Sequence, residues 1–378
     1  ATVTGARFFL ISYNVNILGT PNQAHRLALN VREQGRIVKG PQGEEIVQPG
    51  KFKAVKGIGW NLEEYGIAQV SMNLDNYRIT PIHAVYEAIR EDALALGIGV
   101  AGSEIVGLVP LEAILAAADY YIQKENLFII DERQKILLAV DRLGLSSIHP
   151  FVPEEKIIEY MIGGDEDGPL IRRTVREFVE AVGARTSAPG GGSVSALMAS
   201  LGAALGAMVG WLTYGRRKYE HLDAVMRENI PPLVELQEEL LRAIDRDAAA
   251  FEDYMTALGM PKDTPDAVDE RQRAMQEGLK KATLVPFHTM ELADRAWEPL
   301  LAIARVGQYS SRSDVEVGAR ALAAGLHGAF SNVMINRPGV KDAAFRRDTE
   351  ARARALVERG DAKLAEILAV LAARTGDA

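Results

Sequence analysis

The sequence predicts a multidomain α+β protein, a ferredoxin-like α/β sandwich subdomain followed by an all-α helical domain. Three observations predict it. Strand and helix patterns alternate up to about residue 150, past Phe151 nearly every segment has helical periodicity, and between them lies "GGDEDGP", a polar, glycine-containing hinge. The boundaries are drawn at 1–160 for the first domain, 161–170 for the linker and 171–378 for the second domain.

The elements of the first domain follow in order. "RFFLISYNVNI" is rich in β-branched and aromatic residues and reads as a strand. "TPNQAHRLALNVREQG" places Thr20 as N-cap, Pro21 at the first helical position and Gln23 to close a capping box. "KAVKGIGWNL" and "GIAQVSMNLDNY" are two strands around a turn near Glu63 to Gly66, and a second Thr-Pro start at Thr80 and Pro81 opens another helix. "VAGSEIVGLV" is the fourth strand and "PLEAILAAADYYIQ" the helix behind it. The helices of the second domain are broken at the Gly190–Gly192 triplet, at Pro231-Pro232, at "GMPKDTPD" and at "NRPG".

A chain that is 48% hydrophobic and 25% charged has the composition of a soluble globular protein. A formal charge of -8 opposes a generic nucleic-acid surface, which needs clustered cations to displace counterions. Without cysteine there is no disulfide framework, no thiolate nucleophile and no thiolate zinc site, and a reducing, cytoplasmic setting is expected. The chain opens without Met and reads straight into a strand, with no secretory pattern, so a piece of a longer or processed chain is expected. The uncharged run Ser195 to Leu212 approaches a membrane span in length, but it is mostly Ala and Gly. Gly202, Gly206 and Gly210 share one helical face there, which predicts a tightly packed central helix.

Four places hold candidate chemistry. Gly190, Gly191 and Gly192, with Ser193 after them, are either a flexible connector or a tight loop whose N–H groups approach an electron-rich ligand at a helix start. Asp247 falls on the apolar stripe of Leu233, Leu236, Leu240, Ile244, Phe251, Tyr254 and Leu258, whereas Asp245 points away from it. A carboxylate in that position is hydrogen-bonded, paired or protonated, hence a structural Asp or an acid–base group with a raised pKa. Tyr214, Arg216, Arg217 and Lys218 in "TYGRRKYEH" are a solvated helix end or a carboxylate clamp beside an aromatic platform. Gly318, Ala321, Gly325 and Gly328 form a small-residue stripe, suited to a subunit interface or to the glycine-rich helix, that ends at Asn332. Asn332 either caps or points its amide into the crevice. The six histidines show no metal-ligand spacing, so no metal is expected.

Several of these stretches carry a family resemblance. "SAPGGGSVSAL", "TYGRRKYEHLD", "DTPDAVDERQRAMQEGL" and "SDVEVGARALAAGLHGAFSNVMIN" resemble, in order, the cyclodeaminase domain of the formimidoyltransferase-cyclodeaminase family. "GARFFLISYNVNILGTPNQAHRLALNVREQGR", "AVKGIGW", "AQVSMNL", "GSEIVGLVPLEAILAAADYY" and "RLGLSSIHPFVPEEKIIEY" are similar to the C-terminal subdomain of its transferase.

The resemblance implies a folate-dependent one-carbon enzyme of histidine degradation. The family's transferase moves a formimino group from N-formimino-L-glutamate to tetrahydrofolate. Its cyclodeaminase closes 5-formiminotetrahydrofolate to 5,10-methenyltetrahydrofolate with release of ammonia. By motif position the family's acid falls on Asp247. The resemblance also implies folate polyglutamates as substrates rather than permanently bound cofactors, and dimers arranged in a ring with cyclodeaminase sites between subunits. It places the transferase's histidine outside this sequence. Gln69, Ser71 and Asn73, alternating along one strand face, then line an incomplete transferase site, unless they are an ordinary polar sheet face. Either a separate chain supplies the rest, or the sequence is truncated. Two alternatives stand beside this reading: a methenyltetrahydrofolate cyclohydrolase, and a non-catalytic folate-binding subunit that needs a partner.

Overall fold

The computed structural model describes residues 8–163 and 168–377, and the chain divides into two compact units, 1–164 and 165–378. Part of the hinge stretch, residues 164–167, lies outside the described residues, as does the start of the first expected strand.

The first unit runs β1 (Ile11–Leu18), α1 (Pro21–Val31), β2 (Arg36–Lys39), β3 (Glu45–Gln48), β4 (Val55–Leu62), β5 (Ile67–Leu74), α2 (Ile82–Ala95), β6 (Gly99–Val106), α3 (Leu111–Glu125), α4 (Glu132–Leu143), α5 (Pro153–Lys156) and α6 (Ile158–Ile162). Its main sheet has the order β4-β5-β1-β6, every pair antiparallel, which is the ferredoxin-like arrangement. The register sends Ile11, Tyr13, Val15 and Ile17 to the same face as Ala68, Val70, Met72 and Leu74, and that face is buried. Ala24, Leu27 and Val31 of α1 and Ile82, Val85 and Ile89 of α2 complete this core. The β2–β3 ribbon has no counterpart in the sequence reading, because its strands are short and exposed and carry no burial pattern.

Local signals set the helix starts unevenly. Thr20 caps α1 with the full capping box. Thr80 does not cap α2: Pro81 occupies the N-cap, and the buried Thr80 hydroxyl donates to the Lys53 carbonyl at 2.7 Å. A tertiary partner took the hydroxyl that the sequence offered to the helix.

The second unit is α7 (Val175–Val182), α8 (Gly191–Thr213), α9 (Asp223–Leu258), α10 (Pro265–Arg295), α11 (Trp297–Val306), α12 (Arg312–Asn336) and α13 (Ala343–Ala373), with short 3₁₀ turns between some of them. α8 is long and apolar enough to cross a membrane, but 61% of its apolar window is buried inside the unit. Its main partners are α9 and α12. At the crossing with α12, a methyl carbon on Gly202 would stand 2.7 Å from the Gly318 carbonyl oxygen, so only glycine permits this approach. The Gly318 stripe therefore packs on α8, the second of its two expected uses.

The expected break at Pro231-Pro232 is corrected, because α9 continues through both prolines for 36 residues. Ile230 and Leu233, on either side, are fully buried against α8 beside Gly210 and Gly206. Burying the two together is worth about 3–6 kcal/mol, of the same order as the ~3 kcal/mol that each of the two interior prolines costs.

Candidate active site

The N-terminus of α8 has no side-chain cap of its own, and Gly190 occupies the N-cap position. Asp247 of α9 fills that role from outside. Its Oδ2 accepts from the Ser193 hydroxyl at 3.1 Å, and the Ser193 backbone also bonds the carboxyl. The half-buried Asp247 is thereby pulled in two directions. Burial raises its pKa above the usual carboxylate value, and the bonds from Ser193 pull it back, with burial the larger effect. The carboxyl thus caps the first turn of α8 from another helix and has a pKa raised above the usual carboxylate range.

Each glycine of the triplet has its own neighbour. A methyl carbon on Gly192 would lie 2.1 Å from Asp247 Oδ1, so the carboxyl sits directly against the backbone there. One on Gly191 would lie 3.3 Å from Asn332 Nδ2, which itself donates to the Gly328 carbonyl of α12 at 2.8 Å. Gly190 meets only the Ser187 carbonyl, at 3.8 Å. The loop is therefore not a connector: Asp247 and Asn332, from different helices, flank the first turn of α8. Ser193 is fully buried, its hydroxyl 3.0 Å from the Ile244 carbonyl as well as near Asp247. Asp245 does point elsewhere, accepting from the N–H groups of Leu170 at 2.8 Å and Ile171 at 3.1 Å.

The basic cluster lies at the other end of α8. Twenty-three residues at 1.5 Å each separate the two ends by roughly 35 Å, so one chain does not bring Arg216, Arg217 and Lys218 to Asp247. Tyr214 packs edge-on against Trp211 with ring centroids 6.2 Å apart, Arg216 donates to Gln308, and Lys218 pairs with Asp377. Tyr219 adds a bond to the same carboxylate at 2.9 Å.

In the first unit, Gln69, Ser71 and Asn73 share the sheet face opposite the core with Ser12, Asn14 and Asn16 of β1. Gln69 is buried and fully bonded: its Oε1 accepts from Trp60 at 2.8 Å and Asn14 at 3.3 Å, and its Nε2 donates to Asn16 at 2.7 Å and Glu104 at 3.4 Å. Asn73 accepts from Ser12 at 2.9 Å. The sequence reading missed the β1 asparagines and Trp60, although the alternation of Ser12, Asn14 and Asn16 is visible in "ISYNVNI".

A family model described as Formiminotransferase-cyclodeaminase matches residues 174–355, and one described as Formiminotransferase domain matches residues 12–163. The Formimidoyltransferase-cyclodeaminase of Dictyostelium discoideum is 52% identical over 376 residues, which is 99% of this chain and 68% of that protein. The chain belongs to the formimidoyltransferase-cyclodeaminase family. Its membership places it in histidine catabolism and folate one-carbon metabolism, with transferase and lyase functions. The Gallus gallus member is 49% identical over 375 residues, again 99% of this chain and 68% of the relative. A Methenyltetrahydrofolate cyclohydrolase of Methylorubrum extorquens is 33% identical over 172 residues, 46% of this chain and 83% of that protein. The match of the transferase domain to residues 12–163 corrects one expectation, for it leaves a missing half supplied by a separate chain without support.

Proposed function

We propose that the second unit is a formimidoyltetrahydrofolate cyclodeaminase in which Asp247 is the proton donor. The observation that carries the proposal is the half-buried Asp247 carboxyl, its pKa raised by burial, set against Gly192 at the start of α8 beside Asn332. N10 of the folate attacks the carbon of the protonated amidine (=NH2+) of 5-formiminotetrahydrofolate and forms a C–N bond. Asp247 gives its proton to the amidine nitrogen, and the C–N bond to that nitrogen breaks as ammonia leaves. The carboxylate then takes the proton from N10, so the 5,10-methenyl product forms and the acid is restored. No metal or permanently bound cofactor enters this balance. The exposed backbone at Gly191 leaves room for the flat pterin, and Asn332 offers its amide beside it.

Arg216, Arg217 and Lys218, with Tyr214, are the proposed contacts for the folate's glutamate carboxylates. Their distance from Asp247 within one chain means that a second copy presents them, in a homo-oligomer with shared sites. The first unit is the proposed seat of formimino transfer from N-formimino-L-glutamate to tetrahydrofolate. There Ser71 and Asn73 face the ligand, and Gln69 holds the polar sheet face in shape.

The test is turnover of the purified chain with 5-formiminotetrahydrofolate, following methenyl absorbance and ammonia together. Both appearing in step supports the proposal; folate binding without ammonia overturns it. The similarity to a methenyltetrahydrofolate cyclohydrolase supports a second reading, hydrolysis of 5,10-methenyltetrahydrofolate. Loss of methenyl absorbance from that substrate, with no ammonia from the first, decides for it.

A further inference from the structure

Ser193 has no exposed surface, so its hydroxyl reaches no substrate directly. It has one hydrogen and two acceptors, the Ile244 carbonyl at 3.0 Å and Asp247 Oδ2 at 3.1 Å. Those acceptors differ in one respect: the peptide carbonyl is constant, whereas the carboxyl changes charge when it gives up its proton. A charged acceptor binds a hydroxyl about twice as strongly as a neutral one, and a neutral carboxyl has no such advantage over a peptide carbonyl.

We infer that Ser193 is a positioning residue whose hydroxyl turns with the protonation state of Asp247, toward Oδ2 when the carboxyl is ionised and toward the Ile244 carbonyl when it is neutral. The inference rests on the proposed acid role of Asp247. The hydroxyl keeps its own hydrogen throughout. It stabilises the carboxylate at the moment the proton departs for the leaving nitrogen and releases it when the proton from N10 returns. In a half-buried site a carboxyl without this bond holds its proton too tightly to be an effective donor.

Several charged groups on the neighbouring helices are occupied elsewhere. On α9, Asp245 binds Leu170 and Ile171, and Asp253 pairs with Lys281 of α10. His327 of α12 bonds Asp361 of α13, and the first turn of α8 has no acidic residue. Burial and Ser193 are the causes of the shift at Asp247, with no contribution from a neighbouring charge.

The experiment uses the full chain with 13C at the Asp side-chain carboxyls and at the Ile backbone carbonyls, followed by NMR through a pH titration. Asp247→Asn identifies the Asp247 signal, and Ile244→Val, a small change, identifies that of Ile244. In the unsubstituted protein the Ile244 carbonyl signal is expected to move with the same midpoint as Asp247. An Ile244 signal that stays flat through that midpoint overturns the inference. Ser193→Ala is expected to move the Asp247 midpoint to higher pH and to lower kcat for ammonia release about ten-fold with KM nearly unchanged. An unmoved midpoint also overturns it. A serine held on Oδ2 in both states also shifts the midpoint when it is removed, but it leaves the Ile244 signal flat, so the Ile244 carbonyl separates the two cases. Failure of the unsubstituted chain to release ammonia instead removes the proposed function, which the titration does not read.

Discussion

Asp247 carries two opposed demands, and they give opposed expectations for one substitution. Its folded pKa lies above the unfolded value of ~3.9, so its protonated form favours the fold below that value and the contribution is lost as pH rises through the folded pKa. Once ionised, the desolvated carboxylate is a burden on stability. Asp247→Asn is therefore expected to slow ammonia release by on the order of 100-fold or more while the melting temperature at pH 7 stays level or rises. A fall of several degrees contradicts this assignment. The acid role also gives a pH dependence: kcat falls as pH rises through the Asp247 pKa, and a rate that climbs through that range excludes a donor. Gly192→Ala probes the same spot from the backbone side, where the new methyl meets Oδ1 at 2.1 Å. The expected cost is about 1–3 kcal/mol, with a larger loss of turnover, measured by denaturant unfolding and the ammonia assay.

Between elements, the crossing of α8 with α12 sets how closely Asn332 approaches the first turn of α8. Gly202→Ala places a methyl 2.7 Å from the Gly318 carbonyl. Backbone cannot yield there as a flexible side chain does, so about 1–3 kcal/mol of destabilisation is expected, read as a lower unfolding midpoint. Both glycine stripes were legible in the sequence because helical periodicity places them on one face. Their mutual partnership was not, since periodicity fixes a face and leaves its partner open. The continuity of α9 was hidden for a related reason: Pro231 and Pro232 are local signals against a helix, and burial of Ile230 and Leu233 overrides them. The β2–β3 ribbon left no pattern to read because both its faces meet solvent.

At the scale of the whole molecule, the separation of Asp247 from Arg216 and Lys218 is the most consequential fact. The proposed shared site predicts complementation: Asp247→Asn chains and Lys218→Glu chains, each impaired alone, regain part of the ammonia release when refolded together. No recovery on mixing rejects the shared site. The outer face of α8 leaves Leu201, Met208 and Trp211 exposed in the single chain. An apolar row of this kind suits self-association. Leu201→Glu is expected to shift the protein to smaller assemblies, as seen by analytical ultracentrifugation.

The sequence by itself determined the α+β order of the first unit, the helical nature of the second, the capping box at Thr20 and the isolation of Asp247 on an apolar stripe. Those features follow from local chemistry and from the two periodicities of the backbone. Only the tertiary structure decided that Asp247 caps α8 from another helix, that Ser193 stands between two acceptors, and that the basic cluster is roughly 35 Å away along α8. Each depends on which helix packs on which, and that choice is made by shape and close approach between segments far apart in the chain.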